Sequence, residues 1–175
     1  TSPRGLIFPP TPAADKAGWA RLREFGPYYS PHVATCGVGM SKEKPSEQPN
    51  YPYPIFSAYA SQSDDLVYAM TKSMIVNYDA YKDSAPGAAG LELKRQLLNW
   101  VVPYHPGAIK AFKESGVWNA AQEKHQAELL KRQGVLEAAW SGLIKGNPTD
   151  DKDAFHKAWT TVRSAALRKA NLPVI

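Results

Sequence analysis

Apolar residues recur at helical spacing along most of this chain, and short apolar runs punctuated by proline and glycine occupy its beginning. Gly5-Leu6-Ile7-Phe8, stopped by Pro9-Pro10, predicts a first strand that needs neighbours. Asp15 precedes a helical stretch in which Trp19, Leu22 and Phe25 fall about one turn apart, closed by Gly26-Pro27. Pro27-Tyr28-Tyr29-Ser30-Pro31 reads as a rigid aromatic turn. Val33 to Met40, with Gly37 and Gly39, reads as a buried strand or crossover. Residues 41–54 are polar and proline-rich and predict an exposed excursion, and Ile55 to Ala60 predicts a third strand.

From Ser63 the period becomes helical. Ser63 suits an N-cap, with Asp64 and Asp65 in the first turn, where the helix dipole favours negative charge. Val67, Met70, Met74, Tyr78 and Tyr81 then predict an amphipathic helix of about five turns, broken at Ala85-Pro86-Gly87. A shorter helix is expected from Leu91 to Trp100. Another opens at Pro106, which suits a first helical position, and ends at Gly116, which suits a C-terminal cap. Residues 119–145 predict a long polar helix with Leu129, Leu136, Trp140 and Leu143 on one stripe. Gly146-Asn147-Pro148 turns the chain into a last helix carrying Phe155, Trp159, Val162 and Ala166. Together these make a helical hairpin. The resulting division is an α/β portion over 1–118 and an αα-hairpin over 119–175.

Composition narrows the classes. The 175 residues are 43% hydrophobic and 21% charged, as in ordinary globular proteins. No run approaches the roughly 18 apolar residues of a membrane span. The single cysteine, Cys36, excludes an internal disulfide and a multi-Cys zinc site. Ten of the 15 prolines lie in residues 1–54, which sets a loop- and strand-rich beginning against a helical end. The net charge of +5 is spread thinly, with no Lys/Arg run longer than two, so nucleic-acid binding is not expected. A mildly basic surface suits an acidic small ligand.

Catalytic and metal patterns are missing. His32 and Cys36 are four apart, but on a strand they would lie roughly 13 Å apart. His105 at a helix start suggests capping or packing, and His125 and His156 read as solvated. No serine stands in a Gly-x-Ser-x-Gly frame, and Gly37-Val38-Gly39 does not extend to a dinucleotide fingerprint. Neither a catalytic residue, a metal site nor a cofactor is expected. The chain begins at Thr1 without an apolar leader, so either an upstream segment has been removed or the chain begins inside a longer one.

The string from Trp100 to Trp118 resembles a signature of the TAXI family, the TRAP-associated extracytoplasmic substrate-binding proteins: P-x-H-P-G-A-x-x-[YF]-[YF]-K-E-x-G. Here it supplies Pro103, His105, Pro106, Gly107, Ala108, Glu114 and Gly116. Asp65 to Lys72, followed by Asn77-Tyr78, is similar to the same family's vY-x-[LI]-T-K helix. The resemblance covers roughly residues 15–118. It implies part of an α/β, periplasmic-binding-protein-like (type II) two-lobed fold, to which the hairpin is an extension. The implied function is binding a small carboxylate ligand outside the cytoplasm, in the periplasm, and delivering it to a TRAP-type membrane permease, without catalysis.

On this resemblance the signature residues are architectural, Val33 to Met40 is a candidate hinge, and Tyr28, Tyr29 and Tyr53 are candidate ligand contacts from their loop positions. The family's N-terminal half has no counterpart here. Either it was removed, or the chain is a shortened structural or interaction subunit of a periplasmic or membrane-associated complex. In the second case another protein chain would supply the missing half or cover exposed sheet edges.

Overall fold

The computed structural model describes residues 3–5, 7–52, 55–85 and 87–174. Thr1, Ser2, Leu6, Tyr53, Pro54, Pro86 and Ile175 therefore lie outside the described residues. The chain divides into two compact units, residues 1–52 and 53–174. Among the described residues there are six α-helices and one two-stranded sheet, a mixed α/β arrangement consistent with a partial binding-protein-like fold.

In the first unit, α1 (Lys16–Phe25) starts where the Asp15 carboxylate accepts the Gly18 N–H at 2.8 Å. Trp19 is its one buried residue, and its indole N–H donates to the Pro12 carbonyl. Phe25, placed by spacing on the same apolar stripe, is instead 84% exposed. Strands β1 (Ser30–Ala34) and β2 (Ser46–Asn50) pair antiparallel, with Pro31 opposite Pro49. Proline has no N–H to give, so this pair fits only where the strand's N–H groups point away from the partner. Residues 9–13 lace along β2. The Thr11 N–H donates to the Glu47 carbonyl at 2.8 Å, and the Gln48 side-chain amide donates to the Pro9 carbonyl.

The strand expectations need correcting. Among the described residues near the start, Gly5, Ile7 and Phe8 form no strand. The expected strand from Val33 to Met40 ends at Ala34 and then turns, with the Met40 N–H bonded to the Gly37 carbonyl. Cys36 is exposed rather than buried. The polar excursion at 41–54 contains β2. Ile55 to Ala60 joins no strand among the described residues, and Phe56 and Tyr59 are exposed. Each of these apolar runs lacks a neighbouring strand to bury it, and run composition alone cannot supply one.

The second unit is helical: α2 (Asp64–Val76), α3 (Tyr78–Tyr81), α4 (Pro106–Glu114), α5 (Ala120–Lys145) and α6 (Lys152–Lys169). The expected five-turn helix is interrupted at Asn77, whose side-chain amide donates to the Ser73 carbonyl at 2.9 Å. Two 3-10 turns, Ala88–Leu91 and Leu93–Arg95, replace the helix expected over 91–100. There the Gln96 side chain takes the carbonyls of Gly90 and Glu92. Helices α5 and α6 pack against each other, and Trp140 lies edge-on to both Phe155 and Trp159.

The buried apolar residues of this unit are few: Leu98, Ala111, Trp118, Leu129 and Leu167. Leu98 is buried with φ of 52°. That left-handed backbone costs a residue with a Cβ about 1–2 kcal/mol.

Candidate functional site

The signature residues converge where α4 crosses α2. Pro106 occupies the first turn of α4, and His105 is its N-cap. The His105 Nδ1 accepts the Gly107 N–H at 3.2 Å, while Nε2 lies 3.1 Å from the Gln62 carbonyl. A carbonyl can only accept, so Nε2 carries the proton in this arrangement. The Asp64 carboxylate stands 3.6 Å from Nδ1. Gly107 is buried against the α2 backbone. A Cβ there would collide with the Asp64 carbonyl oxygen and come within 2.8 Å of the Tyr68 nitrogen. Ala108 is half-buried behind it, and Ala111, one turn on, is fully buried.

At the other end of α4, Glu114 accepts from the Tyr68 hydroxyl at 2.8 Å and from the Lys72 ammonium at 3.0 Å. These two donors hold its carboxyl below the ordinary carboxylate value, the Tyr68 hydrogen bond having the larger effect. Reciprocally, the hydrogen bond to Glu114 raises Tyr68 and Lys72. The Lys110 ammonium sits 4.3 Å above the Tyr68 ring. Gly116, with φ of 74°, ends the segment, and the Val117 N–H returns to the Phe112 carbonyl.

Behind the signature, Tyr104 packs edge-on to Trp118 and Phe112, which stack on each other. Burial pushes the Tyr104 hydroxyl up. Pro103, half-buried, precedes it. Two α5 residues that spacing did not single out for this region reach the segment. Gln126 pairs both ways with the Tyr104 backbone, accepting its N–H at 2.8 Å and donating to its carbonyl at 2.9 Å. His125, expected to be solvated, is half-buried and donates through Nε2 to the Trp100 carbonyl at 2.7 Å. The one available signal was a glutamine on the Leu129 side of an otherwise polar helix.

Of the candidate ligand tyrosines, Tyr28 and Tyr29 lie together, their ring centroids 4.7 Å apart, and both meet Tyr51 edge-on. Tyr29 also covers Gly26, where a Cβ would come within 2.6 Å of the ring. Tyr53 is outside the described residues. Among the described residues, two shallow depressions are lined without Tyr28 or Tyr29. One is lined by Pro106, Ile109, Lys110, Lys113, Glu114 and Glu123, the other by Thr11, Ala13, Pro31, His32, Val33 and Glu47. Among the described residues no three His, Cys, Asp or Glu side chains gather as a metal site would require.

Comparison with protein families matches residues 20–116, more than half of the chain, to the NMT1-like family. The chain belongs to the NMT1-like family. The match takes in the last six residues of α1, the sheet, α2, α3 and all of α4, and stops before α5. A search of curated proteins found no match, and neither did a search of solved structures. The NMT1-like family is related to periplasmic substrate-binding proteins, is generally non-catalytic and is typically extracytoplasmic. No helix among the described residues is long and apolar enough to cross a membrane.

Proposed function

We propose that this chain is the C-terminal part of a TAXI-type extracytoplasmic solute-binding protein, which binds a small organic acid without catalysis and delivers it to a TRAP-type membrane permease. The observation that carries this reading is the meeting of its two motifs. Tyr68 and Lys72, from the motif on α2, bond to Glu114 from the motif on α4, and Gly107 admits the α2 backbone. Motifs that interlock in this way belong to one architecture, and the family match covers both. In this reading Pro103, His105, Pro106, Gly107, Ala108, Glu114 and Gly116 are structural, and the chain forms one part of a two-lobed type II fold. Tyr28 and Tyr29, whose rings meet each other and Tyr51, are the candidate contacts for the carboxylate ligand, as Tyr53 is from its sequence position alone.

The test is a thermal-shift titration of the intact natural protein against a broad panel of small carboxylates. At least one should raise the melting temperature with increasing concentration, as ligand linkage requires. No shift across the panel overturns the transport reading.

A specific observation favours a second reading, an interaction subunit of a periplasmic or membrane-associated complex. The chain exposes 12562 Å², whereas a folded monomer of its size exposes about 8,400 Å² and two separate domains of the observed sizes about 10,000 Å². Large apolar side chains are among those exposed, including Leu66, Met70 and Val76 on α2. This reading expects the natural protein to co-purify with one stoichiometric partner and to ignore carboxylates. A stable, monodisperse monomer would count against it.

A further inference from the structure

We propose that residues 96–105 form a strained strap, fastened to α5 by His125 and Gln126, that opens locally while α2 and α4 stay packed on each other. The strap has no helix or strand of its own. Its backbone is held by the His125 bond to the Trp100 carbonyl, the paired Gln126–Tyr104 bonds, and the Trp100 N–H donated to the Tyr104 hydroxyl at 3.1 Å. Between them Leu98 is buried in a left-handed conformation, whereas its neighbour Leu97 and Val102 are exposed.

Such a backbone persists only where its surroundings over-determine it. Here the surroundings are side-chain bonds from α5 and the packing of Tyr104 on Phe112 and Trp118, with no ladder of backbone bonds along the segment. Segments without such a ladder open toward the low end of a protein's stability range. The helix pair has independent restraints in Gly107 and Glu114. Opening would release the Tyr104 N–H and carbonyl immediately before His105, which caps α4. Through this contact α5, beyond residues 20–116 of the family match, acts on the signature segment.

Amide hydrogen exchange of the complete chain, followed by NMR, tests the proposal. After correction for intrinsic rates, the Trp100 and Tyr104 amides should exchange at least about tenfold faster than those of Thr71 and Ala111 within α2 and α4. Gln126→Ala should accelerate the strap amides again by about tenfold and leave the helix amides within about twofold. Strap and helix amides that exchange together, in the unaltered chain or the variant, overturn it. The strain is read separately from Leu98→Ala and Leu98→Gly, which both remove the anchor. Only glycine is free of the left-handed penalty, so its strap amides should exchange about fivefold slower than those of the alanine variant. The reverse order, expected of an unstrained loop, overturns the strain.

Discussion

Between α2 and α4 two helices approach until only a glycine fits, and an ion-paired carboxylate locks their far ends. The β1–β2 ribbon of the first unit has neither device. It places Pro31 opposite Pro49, exposes Val33, and relies on hydrogen bonds from residues 9–13 to reach β2. The helix pair is specified by steric exclusion and charge, which act at single residues. The ribbon is specified by which distant segment lies alongside it. The prolines also blunt the ribbon's open edges, since each removes an outward N–H that another strand could use. An unpaired edge is therefore a weaker argument for a partner here than the exposed apolar side chains of α2.

The largest effect expected of this contrast is in the first unit. Trp19 is 5% exposed and is the buried hydrophobic residue among those described there, and truncating a buried tryptophan costs about 3–5 kcal/mol. Trp19→Ala should remove amide protection across β1 and β2 while α2 and α4 keep theirs, as measured residue by residue by hydrogen exchange. Loss of protection in α2 and α4 to the same degree would break the contrast, because the two regions would then share one stabilising core.

Next is Gly107→Ala. In an ordinary helix this change stabilises by about 1 kcal/mol. Against the Asp64 carbonyl the new methyl must force α4 away from α2, and overpacking of this kind costs about 1–3 kcal/mol. The prediction is therefore a change of sign, read from the midpoint of chemical denaturation. A stabilised Gly107→Ala variant would mean that the glycine serves no close approach, and the helix pair would lose its claim to steric specification.

The same difference explains what could be read from the sequence. Helix starts announce themselves locally. Ser63 accepts the Leu66 N–H, and Pro106 sits in the first turn of α4. Strand partners do not. Ser46 to Asn50 carries no alternating apolar pattern, and it becomes a strand because β1 pairs along it, with Thr11 and Pro9 bonded to it as well. Conversely, Val33 to Met40 and Ile55 to Ala60 have strand-like composition, yet among the described residues only Val33 and Ala34 join a strand, and beyond Ala34 there is a single bridge between Gly37 and Met40. At the site, the spacing of His105, Gly107 and Glu114 placed them along one helix. It could not show that Glu114 would meet Tyr68 and Lys72, which lie 46 and 42 residues earlier. The Gln126 clasp was equally hidden, because a side-chain amide serving as a backbone partner has no sequence pattern of its own.

The smallest effect concerns the charge in the helix pair. Glu114 is held below the ordinary carboxylate value, first by the Tyr68 hydroxyl and then by Lys72. A lowered carboxyl contributes stability that is fully present above its unfolded value and is lost as the pH falls through the folded one. Lys72 and Tyr68 are raised, so their contributions are present below their ordinary values and are lost only as the pH climbs through the raised ones. Through neutral pH all three are in place. Glu114→Gln keeps an acceptor for both donors and removes only the charge, and the group is solvent-accessible, so the loss should be small. The melting temperature of the variant should fall slightly below that of the unaltered chain at pH 7, with the gap closing in acid below the ordinary carboxylate range. Amide protection in β1 and β2 should be the same in both proteins at either pH. A gap that persists undiminished in acid would show that Glu114 acts through shape alone, and the helix pair would then be specified by steric exclusion without charge.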